Sequence, residues 1–407
     1  MTDPAQHRST PAVDDAPVVH YLQQLLEQAV TLKASDIHFE PYEHHYRVRM
    51  RIDGLLREIA SPPMALKDRL GSRIKVLSRL DIAEKRLPQD GRMKLTTQAG
   101  RLLDLRVSTL PTLFGEKLVL RILDGQHHHL DLETLGYEPE DLARLRQAIT
   151  RPEGMLLVTG PTGSGKTQSL YACLHRLNQS EVNIATVEDP CEIALPGINQ
   201  VNVQDKPGLS FAVALRAFLR QDPDILMVGE IRDLETAEIA IQAAQTGHMV
   251  LSTLHTSDAP GALTRLRNMG VAPYNIAASV SLVTAQRLVR RLCPHCRTAA
   301  RISRQWLVDA GWRGDWGQDD KSEIFQARPE GCPHCHKGYA GRTGIFQVMP
   351  VSASMQQMVL SHAGHQELAA QARKEGIRSL REAGLSKVLQ GLTSAEEVLA
   401  ATHEGAM

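Results

Sequence analysis

Hydrophobic residues in the first third of the chain recur first at helical spacing and then at every second position. Between residues 18 and 32 the apolar side chains fall three and four positions apart, which predicts an amphipathic helix. Residues 46–52 and 101–108 alternate between apolar and polar side chains, as half-buried strands do. Residues 66–78, between these strands, return to helical spacing. We therefore predict a small α+β domain over residues 18–124.

Segments without periodicity flank and interrupt this domain. Residues 1–17 are rich in Pro, Asp, Ser and Thr, and we interpret them as a flexible tail. The dipeptides at 53–54 and 90–91 are both Asp-Gly, which is typical of turns. Residues 125–136 have the composition of a linker. For the histidine triplet at 127–129 within it, a solvated linker is favoured over a metal site.

From residue 137 onward the pattern changes to strand–loop–helix units. Wholly or mostly apolar runs at 155–159, 225–228 and 249–254 indicate buried strands, and helical spacing is found over 234–245. Buried strands that alternate with helices predict a mostly parallel sheet with helices on both faces. We therefore expect a larger α/β domain over residues 137–407.

Composition and charge narrow the class of protein. The 407 residues are 42% hydrophobic and 23% charged, which excludes disorder as a description of the whole chain. Lys and Arg together number 46, as do Asp and Glu, so a simple electrostatic nucleic-acid binder is not expected. The sequence has no apolar run long enough for a membrane span and begins without the pattern of a secretory signal. We expect a cytoplasmic protein of two or three domains.

A glycine-rich sequence follows the first buried strand of the larger domain. It matches G-x-x-x-x-G-K-[ST] in full, with the residues Gly160, Pro161, Thr162, Gly163, Ser164, Gly165, Lys166 and Thr167. The backbone N–H groups of such a loop wrap a phosphate, while the lysine reaches the β- and γ-phosphates and the last hydroxyl ligates Mg²⁺. A buried strand precedes the loop and a helix follows it, as the motif requires. We therefore predict a site for ATP and Mg²⁺.

Acidic and histidine side chains follow the other predicted strands, where ligands of parallel sheets bind. Glu230 directly follows the second strand and is the candidate to polarise the attacking water; a surface ion pair is the alternative. Gly229 stands where many P-loop proteins carry an Asp, so Glu188 and Asp189, at the end of another strand, are the candidates for Mg²⁺, with a turn-capping role as the alternative for Glu188. His255 ends the third strand, where it would sense the γ-phosphate or serve a structural role.

Phosphoryl transfer also needs positive charge on the transition state, often from the arginine of a neighbouring subunit. Arg216 and Arg220 are one helical turn apart, and we predict that they point together at a nucleotide. Alternation alone does not select among the candidates of the N-terminal domain, which are Arg47, Arg49, Arg51, Arg106 and Arg121.

Two C-x-x-C pairs lie 35 residues apart. Cys293 and Cys296 form the first pair, and Cys332 and Cys335 form the second. In a cytosolic protein two such pairs indicate a four-thiolate zinc site, which leaves no open position for catalysis. Because the span between them exceeds the roughly 15–20 residues of a compact zinc site, we predict a zinc-closed lobe over residues 293–335.

Basic and helical segments flank the predicted lobe. Six arginines and no acid occupy residues 287–304. A solvated flank of the zinc lobe is the expected state of these arginines, and contact with anionic lipid or an acidic partner is the alternative. Residues 350–405 are rich in Ala, Leu and Glu and are predicted to form helices.

Together these motifs resemble those of the ATPases of type II secretion and type IV pilus assembly, of the general secretory pathway protein E type. Segments 35–41, 49–54 and 87–92 resemble three landmarks of that family's N-terminal domain. The later landmarks follow in order, and they are the Walker A loop, an aspartate box at 186–192, an atypical Walker B motif at 225–230 and a histidine box at 246–255. The resemblance runs from about residue 14 to the C-terminus.

The resemblance implies a RecA-like P-loop ATPase domain with a smaller N-terminal α+β domain and a zinc-binding insert. It also implies a homohexameric ring in which arginines reach the nucleotide. Arg106 and Arg121 occupy the matching positions of the N-terminal domain, and Arg216 and Arg220 those of the ATPase domain. The four-cysteine lobe is typical of the assembly and secretion branch of the family and is generally lacking in retraction motors.

We therefore expect an ATP-hydrolysing hexameric motor, served by ATP, Mg²⁺ and Zn²⁺, that powers the assembly of pilins or pseudopilins. It would act at the cytoplasmic face of the inner membrane, with the platform protein of a secretion or pilus machine as partner and without nucleic acid. A pilus-retraction ATPase, a conjugation-type or DNA-translocating ATPase and a nucleotide-gated scaffold are the alternatives. Family members usually carry a further N-terminal domain, whereas residues 1–17 alone precede the core here, which fits a short natural form or a truncated start.

Overall fold

The computed structural model forms two compact units, Met1–Gly125 and Gln126–Met407, and each has its own hydrophobic core. The residues that the structure describes are 16–97, 100–123, 130–204, 206–314 and 321–402. Most of the predicted tail and the histidine triplet at 127–129 lie outside the described residues. In the described part of the chain, no helix is both long enough and apolar enough to cross a bilayer.

The first unit is a six-stranded antiparallel sheet whose apolar face packs on two helices. Its elements are α1 (Ala16–Thr31), β1 (Asp36–Pro41), β2 (Tyr46–Ile52), β3 (Leu55–Ala60), α2 (Lys67–Leu77), β4 (Gln89–Thr96), β5 (Leu102–Thr112) and β6 (Gly115–Leu123). The strands are ordered β3-β2-β1-β6-β5-β4. Along β2 every second residue is fully buried, which is the alternation that the sequence predicts.

The two Asp-Gly dipeptides have different structures. Asp53 and Gly54 connect β2 to β3 with φ angles of 51° and 88°, which is the backbone that a two-residue hairpin turn needs. Asp90-Gly91 was predicted to be a turn, and this is wrong, because both residues pair with β5 inside β4. A Cβ atom at position 91 would lie 2.6 Å from the carbonyl oxygen of Ser78. The glycine therefore permits close approach of two backbones.

The polar face of this sheet carries a row of charged residues at one level. The row crosses five strands, and its consecutive cross-strand neighbours are Arg51, Asp36, Arg121, Arg106 and Arg92. Asp36 accepts a hydrogen bond of 2.9 Å from Nε of Arg121, and Nε of Arg51 lies 3.6 Å from its other oxygen. Arg106 and Arg121, which were selected by resemblance, are thus directly opposite each other on β5 and β6.

A second charged group on the same face surrounds Glu40. Arg49 donates two hydrogen bonds to its carboxylate, and Nζ of Lys117 lies 3.0 Å from Oε1. Burial raises the pKa of Glu40, but the hydrogen bonds from Arg49 and Lys117 outweigh burial and lower the pKa to about 2. Glu40 is therefore a carboxylate at any pH at which the protein would work.

The second unit is built on a seven-stranded sheet with the order β15-β12-β7-β11-β10-β8-β9. Neighbouring strands are parallel except for β12 and β15. The first elements of this unit are α3 (Pro139–Ile149), β7 (Gly154–Thr159), α4 (Lys166–Leu177), β8 (Ile184–Glu188), β9 (Asn199–Asn202), α5 (Phe211–Phe218), β10 (Ile225–Val228), α6 (Leu234–Ala244), β11 (Met249–Leu254), α7 (Ala259–Asn268), α8 (Pro273–Ser279) and β12 (Val280–Leu292).

Helices cover both faces of this sheet, and successive residues of β7 point into opposite cores. Leu157 belongs to the core that contains α6 and α7, whereas Leu156 belongs to the core that contains α3 and α4. This arrangement explains the continuous apolar runs of the buried strands. The carboxyl ends of β7, β11, β10 and β8 all lie at one edge of the sheet, because these strands are parallel.

The remaining elements form a lobe and a set of C-terminal helices. They are β13 (Thr298–Ser303), α9 (Arg304–Asp309), β14 (Lys321–Gln326), β15 (Tyr339–Pro350), α10 (Ala353–Leu360), α11 (His365–Lys374), α12 (Leu380–Leu389) and α13 (Ala395–Ala401). Strands β13 and β14 make a two-stranded sheet. Leu307 and Ile324 of the lobe share a core with Leu385 and Val398 of α12 and α13, so the lobe packs on these helices.

Candidate nucleotide site and cysteine cluster

The glycine-rich loop connects β7 to α4, and its shape depends on the glycine at its start. A Cβ atom on Gly160 would lie 2.6 Å from the carbonyl oxygen of Gln286 and 2.6 Å from Oγ of Ser164. Nζ of Lys166 folds back to donate hydrogen bonds to the carbonyls of Gly160 and Pro161, at 2.9 and 3.1 Å. The loop and its lysine therefore lie at the carboxyl edge of the sheet, next to the end of β7.

Two of the predicted site residues meet beside this loop. Nε2 of His255 lies 3.6 Å from Oε2 of Glu230, and Arg232 donates a hydrogen bond to the other oxygen of Glu230. Burial lowers the pKa of Lys166, while the nearby carboxylate of Glu230 raises it. The strand order explains this meeting, because His255 follows β11 and Glu230 follows the next strand, β10.

Glu188 is held in a buried network at the end of β8. Its Oε1 accepts hydrogen bonds from Thr186 and Gln200, at 2.7 and 3.3 Å, and its Oε2 accepts one from the hydroxyl of Tyr171. Oε2 thus joins β8 to α4, and Oε1 joins β8 to β9. At about 4.8 Å per strand, β8 lies roughly 14 Å from the strand that precedes the loop. The role of Glu188 as a Mg²⁺ ligand stays a prediction.

Of the two predicted arginines, Arg216 lies in the last turn of α5 and Arg220 lies two residues beyond its end. Nη2 of Arg216 lies 2.7 Å from Oε1 of Glu235, in the first turn of α6. Nη1 of Arg220 donates a hydrogen bond of 2.7 Å to the carbonyl of Arg216. The structure therefore brings the two exposed arginines together, and their approach to a nucleotide stays a prediction.

Arg287 is not part of the solvated flank of the lobe, which is where the sequence predicts it. It is half-buried beside the glycine-rich loop. Its Nη1 lies 3.3 Å from the position that a Cβ of Gly160 would take. The reason is the length of β12, which passes the loop before it reaches Cys293. The apolar run that ends at Ala285 was a signal of this strand.

Gln286, on the same strand, was also missed. Its side chain is buried, donates a hydrogen bond of 2.7 Å to the carbonyl of Ser164 and accepts one of 2.8 Å from Ser169. It thus supports the loop and the first turns of α4 from the side of β12.

The four cysteines of the two pairs converge as predicted. Their sulfur atoms all lie within 4.8 Å of one another. Cys293 and Cys332 are 3.7 Å apart, and Cys296 and Cys335 are 3.5 Å apart, measured between sulfurs. Tetrahedral zinc with bonds of about 2.3 Å places its sulfurs about 3.8 Å apart. The donor set and its spacing therefore fit zinc.

Known proteins identify the family of the chain. Residues 11–400 match the family model of the type II/IV secretion system proteins. The chain is 55% identical over 391 residues to the type IV pilus assembly ATPase PilB of Acinetobacter baylyi, covering 96% of this chain and 67% of that protein. It is 52% identical over 392 residues to the type II secretion system protein HxcR of Pseudomonas aeruginosa, covering 96% of this chain and 78% of that protein.

A solved structure shows the same fold. The X-ray structure of the ATPase DotB from Legionella pneumophila matches with a TM-score of 0.69 and 20% sequence identity, over 98% of this chain and 97% of that one. This match confirms the expected fold class, a RecA-like ATPase domain joined to a smaller N-terminal domain. The family model matches residues 11–400, and the Walker A loop and the Glu230–His255 pair lie within this match. The chain therefore belongs to the type II/IV secretion system protein family.

Proposed function

We propose that the chain is an ATP-hydrolysing motor that powers the assembly of pilins or pseudopilins. The observation that carries this proposal is the meeting of Glu230 and His255 beside Lys166 at the glycine-rich loop. Relatives that are about half identical are named as a type IV pilus assembly ATPase and a type II secretion system protein, and these names support pilin or pseudopilin assembly as the process that the motor powers.

The residues of the site have separate tasks in this proposal. The loop N–H groups hold the phosphates, and Lys166 exchanges the carbonyls of Gly160 and Pro161 for phosphate oxygens. Glu230 orients the attacking water and accepts its proton, while His255, beside it, contacts the γ-phosphate. Mg²⁺, for which Thr167 and Glu188 are the expected side chains, would neutralise charge on the phosphates. Zinc on the four cysteines would close the lobe.

The motor is proposed to be a homohexameric ring with shared sites. Arg106 and Arg121 lie next to each other on the N-terminal unit, and we assign them to the nucleotide of a neighbouring copy. Arg216 and Arg220 would serve the same nucleotide from the ATPase domain. The ring would sit at the cytoplasmic face of the inner membrane, on the platform protein of the machine. The arginines that follow β12 would face anionic lipid or an acidic partner.

Replacement of Lys166 by Ala in the bacterium that carries the gene should abolish either its surface pili or its type II secretion. The variant loses the cation that holds the phosphates, so the motor would no longer bind the ATP that it hydrolyses. Piliation and secreted protein are measured beside Lys374→Ala, which removes an exposed lysine from α11 and should behave as wild type. An excess of pili in the Lys166→Ala strain would show a retraction motor, and normal pili and secretion would overturn the proposal.

Mixed rings test whether the arginines act on a neighbour's nucleotide. Chains with Arg121→Ala alone should be inactive, as should chains with Lys166→Ala alone. A mixture should regain part of the ATPase activity, because some interfaces then combine an intact loop with an intact arginine. Turnover of the mixture is measured on rings shown to co-assemble. Arg86→Ala, at an exposed arginine of the same unit, is the matched control and should be active alone. Mixed rings without recovery would count against a shared site.

A further inference from the structure

Arg287 is a half-buried cation that forms no ion pair with a carboxylate among the residues that the structure describes. Its Nη1 donates a hydrogen bond of 2.9 Å to the carbonyl of Gln286, and its Nη2 donates one of 2.7 Å to the carbonyl of Ser257. The acid that acts on it electrostatically, Asp258, already binds Nε2 of His365 at 2.8 Å. Both hydrogen-bond acceptors of Arg287 are therefore neutral carbonyls.

A second cation lies on the other side of the same glycine. Nζ of Lys166 donates to the carbonyl oxygen of Gly160, while Nη1 of Arg287 lies 3.3 Å from where a Cβ of Gly160 would be. Burial lowers the pKa of each of the two cations, and Arg287 further lowers the pKa of Lys166. Two partly desolvated positive charges side by side are costly unless an anion joins them.

The position of Arg287 also suits an anion with several oxygens. Its guanidinium lies at the carboxyl edge of the sheet, between the end of β7 and the segment after β11. A guanidinium has five N–H groups in a plane and binds phosphate oxygens in pairs, whereas the carbonyls of Gln286 and Ser257 use two of them. The carbonyl of Ser257 thus holds the side chain next to the loop without neutralising its charge.

We propose that Arg287 is a second phosphate-binding cation of the chain's own nucleotide site. It contacts the polyphosphate of the nucleotide from the side of β12, opposite the lysine of the loop. This inference rests on the proposed function only in requiring that the loop binds a nucleotide. The ligand chemistry is a polyphosphate, so the contact does not depend on the base.

The contact would link the nucleotide to the C-terminal helices. Ser257 stands between Thr256, whose Oγ1 lies 2.7 Å from Oγ1 of Thr159, and Asp258, which binds His365 at the start of α11. If the guanidinium of Arg287 turns toward a phosphate, its hydrogen bond to the carbonyl of Ser257, the middle residue of this segment, changes. The two neighbours of Ser257 are fixed at β7 and α11.

The test compares binding of ADP and of inorganic tripolyphosphate to wild-type protein and to Arg287→Gln by calorimetry. Loss of a charge-assisted hydrogen bond should weaken both ligands by about 10- to 100-fold. Arg291→Gln removes an exposed arginine from the same strand and should change neither affinity more than about twofold. Arg287→Lys keeps a cation and should recover part of the tripolyphosphate affinity.

The outcomes distinguish a phosphate-binding role of Arg287 from a purely structural one. If Arg287 only fastens Ser257 to β12, Arg287→Gln should lower the melting temperature and leave tripolyphosphate binding unchanged, and this result would overturn the proposal. If Arg287→Gln does not fold, Arg287→Lys decides, because partial tripolyphosphate affinity supports a charge contact, whereas an unchanged affinity or a full loss of binding contradicts it. Wild-type protein that binds neither ligand would instead overturn the proposed function.

Discussion

Glu230→Gln should bind ATP and hydrolyse it at least about a hundredfold more slowly than the wild-type protein, as expected for loss of a general base. The amide has the size of the carboxylate but accepts no proton from water. Glu230 already lies beside His255 and near Lys166, so the substitution changes charge at the centre of the site and leaves the loop intact. Single-turnover hydrolysis and binding of a fluorescent ATP analogue measure the two quantities separately.

Two variants complete this experiment. Lys166→Ala should lose ATP binding itself, because its ammonium is the cation of the loop. Glu238→Gln, at an exposed acid of α6, makes the same chemical change away from the site and should keep normal turnover. Near-normal turnover of Glu230→Gln in rings that hydrolyse normally would show that another group activates the water.

Removal of zinc should open the lobe and leave nucleotide binding largely intact. All three tryptophans of the chain, at 306, 312 and 316, lie between the two cysteine pairs, so tryptophan emission reports on this lobe. Trp306 and Trp312 pack on the core that the lobe shares with α12 and α13, while Trp316 lies outside the described residues. Chelation, or Cys332→Ser, should shift the emission to the red because metal-closed units generally unfold when stripped.

Metal content, emission and ATP titration are measured on the same samples. Cys191→Ser, a thiol outside the cluster, is the control and should retain zinc and emission. Less than about half an equivalent of zinc in protein purified without chelator would exclude the four-thiolate site, whose ligand count requires one ion. Loss of ATP binding in step with the red shift would show that the lobe belongs to the ATPase core.

Much of the nucleotide site could be predicted from local sequence patterns. The loop at 160–167, Glu230 and His255 each follow a short, largely apolar run, and such runs are buried strands of a parallel sheet. Because parallel strands end at one edge, side chains that are far apart in sequence meet there. The fold class and the family followed from the same motifs, and both are confirmed.

What the pattern missed depends on contacts between distant segments. Asp90-Gly91 has the sequence of a turn, and the close approach of the Ser78 carbonyl and the Leu80 side chain explains a glycine inside a strand. Arg287 stands in a series of arginines, and its position along β12 relative to the loop separates it from the others. The network of Glu188 includes Tyr171, 17 residues earlier on α4, which no spacing rule connects to it.

Strand β12 directly connects the nucleotide site to the cysteine cluster. It runs for 13 residues, carries Arg287 beside the loop and delivers Cys293 at its end. At about 3.3 Å per residue, the distance between these two residues is about 20 Å. The register shift near its end is braced, since Glu397 bonds Arg290 and Leu392 bonds Leu292. Strand β12 is therefore a continuous hydrogen-bonded connection between the loop and the cysteine cluster, and the C-terminal helices hold its far end in place.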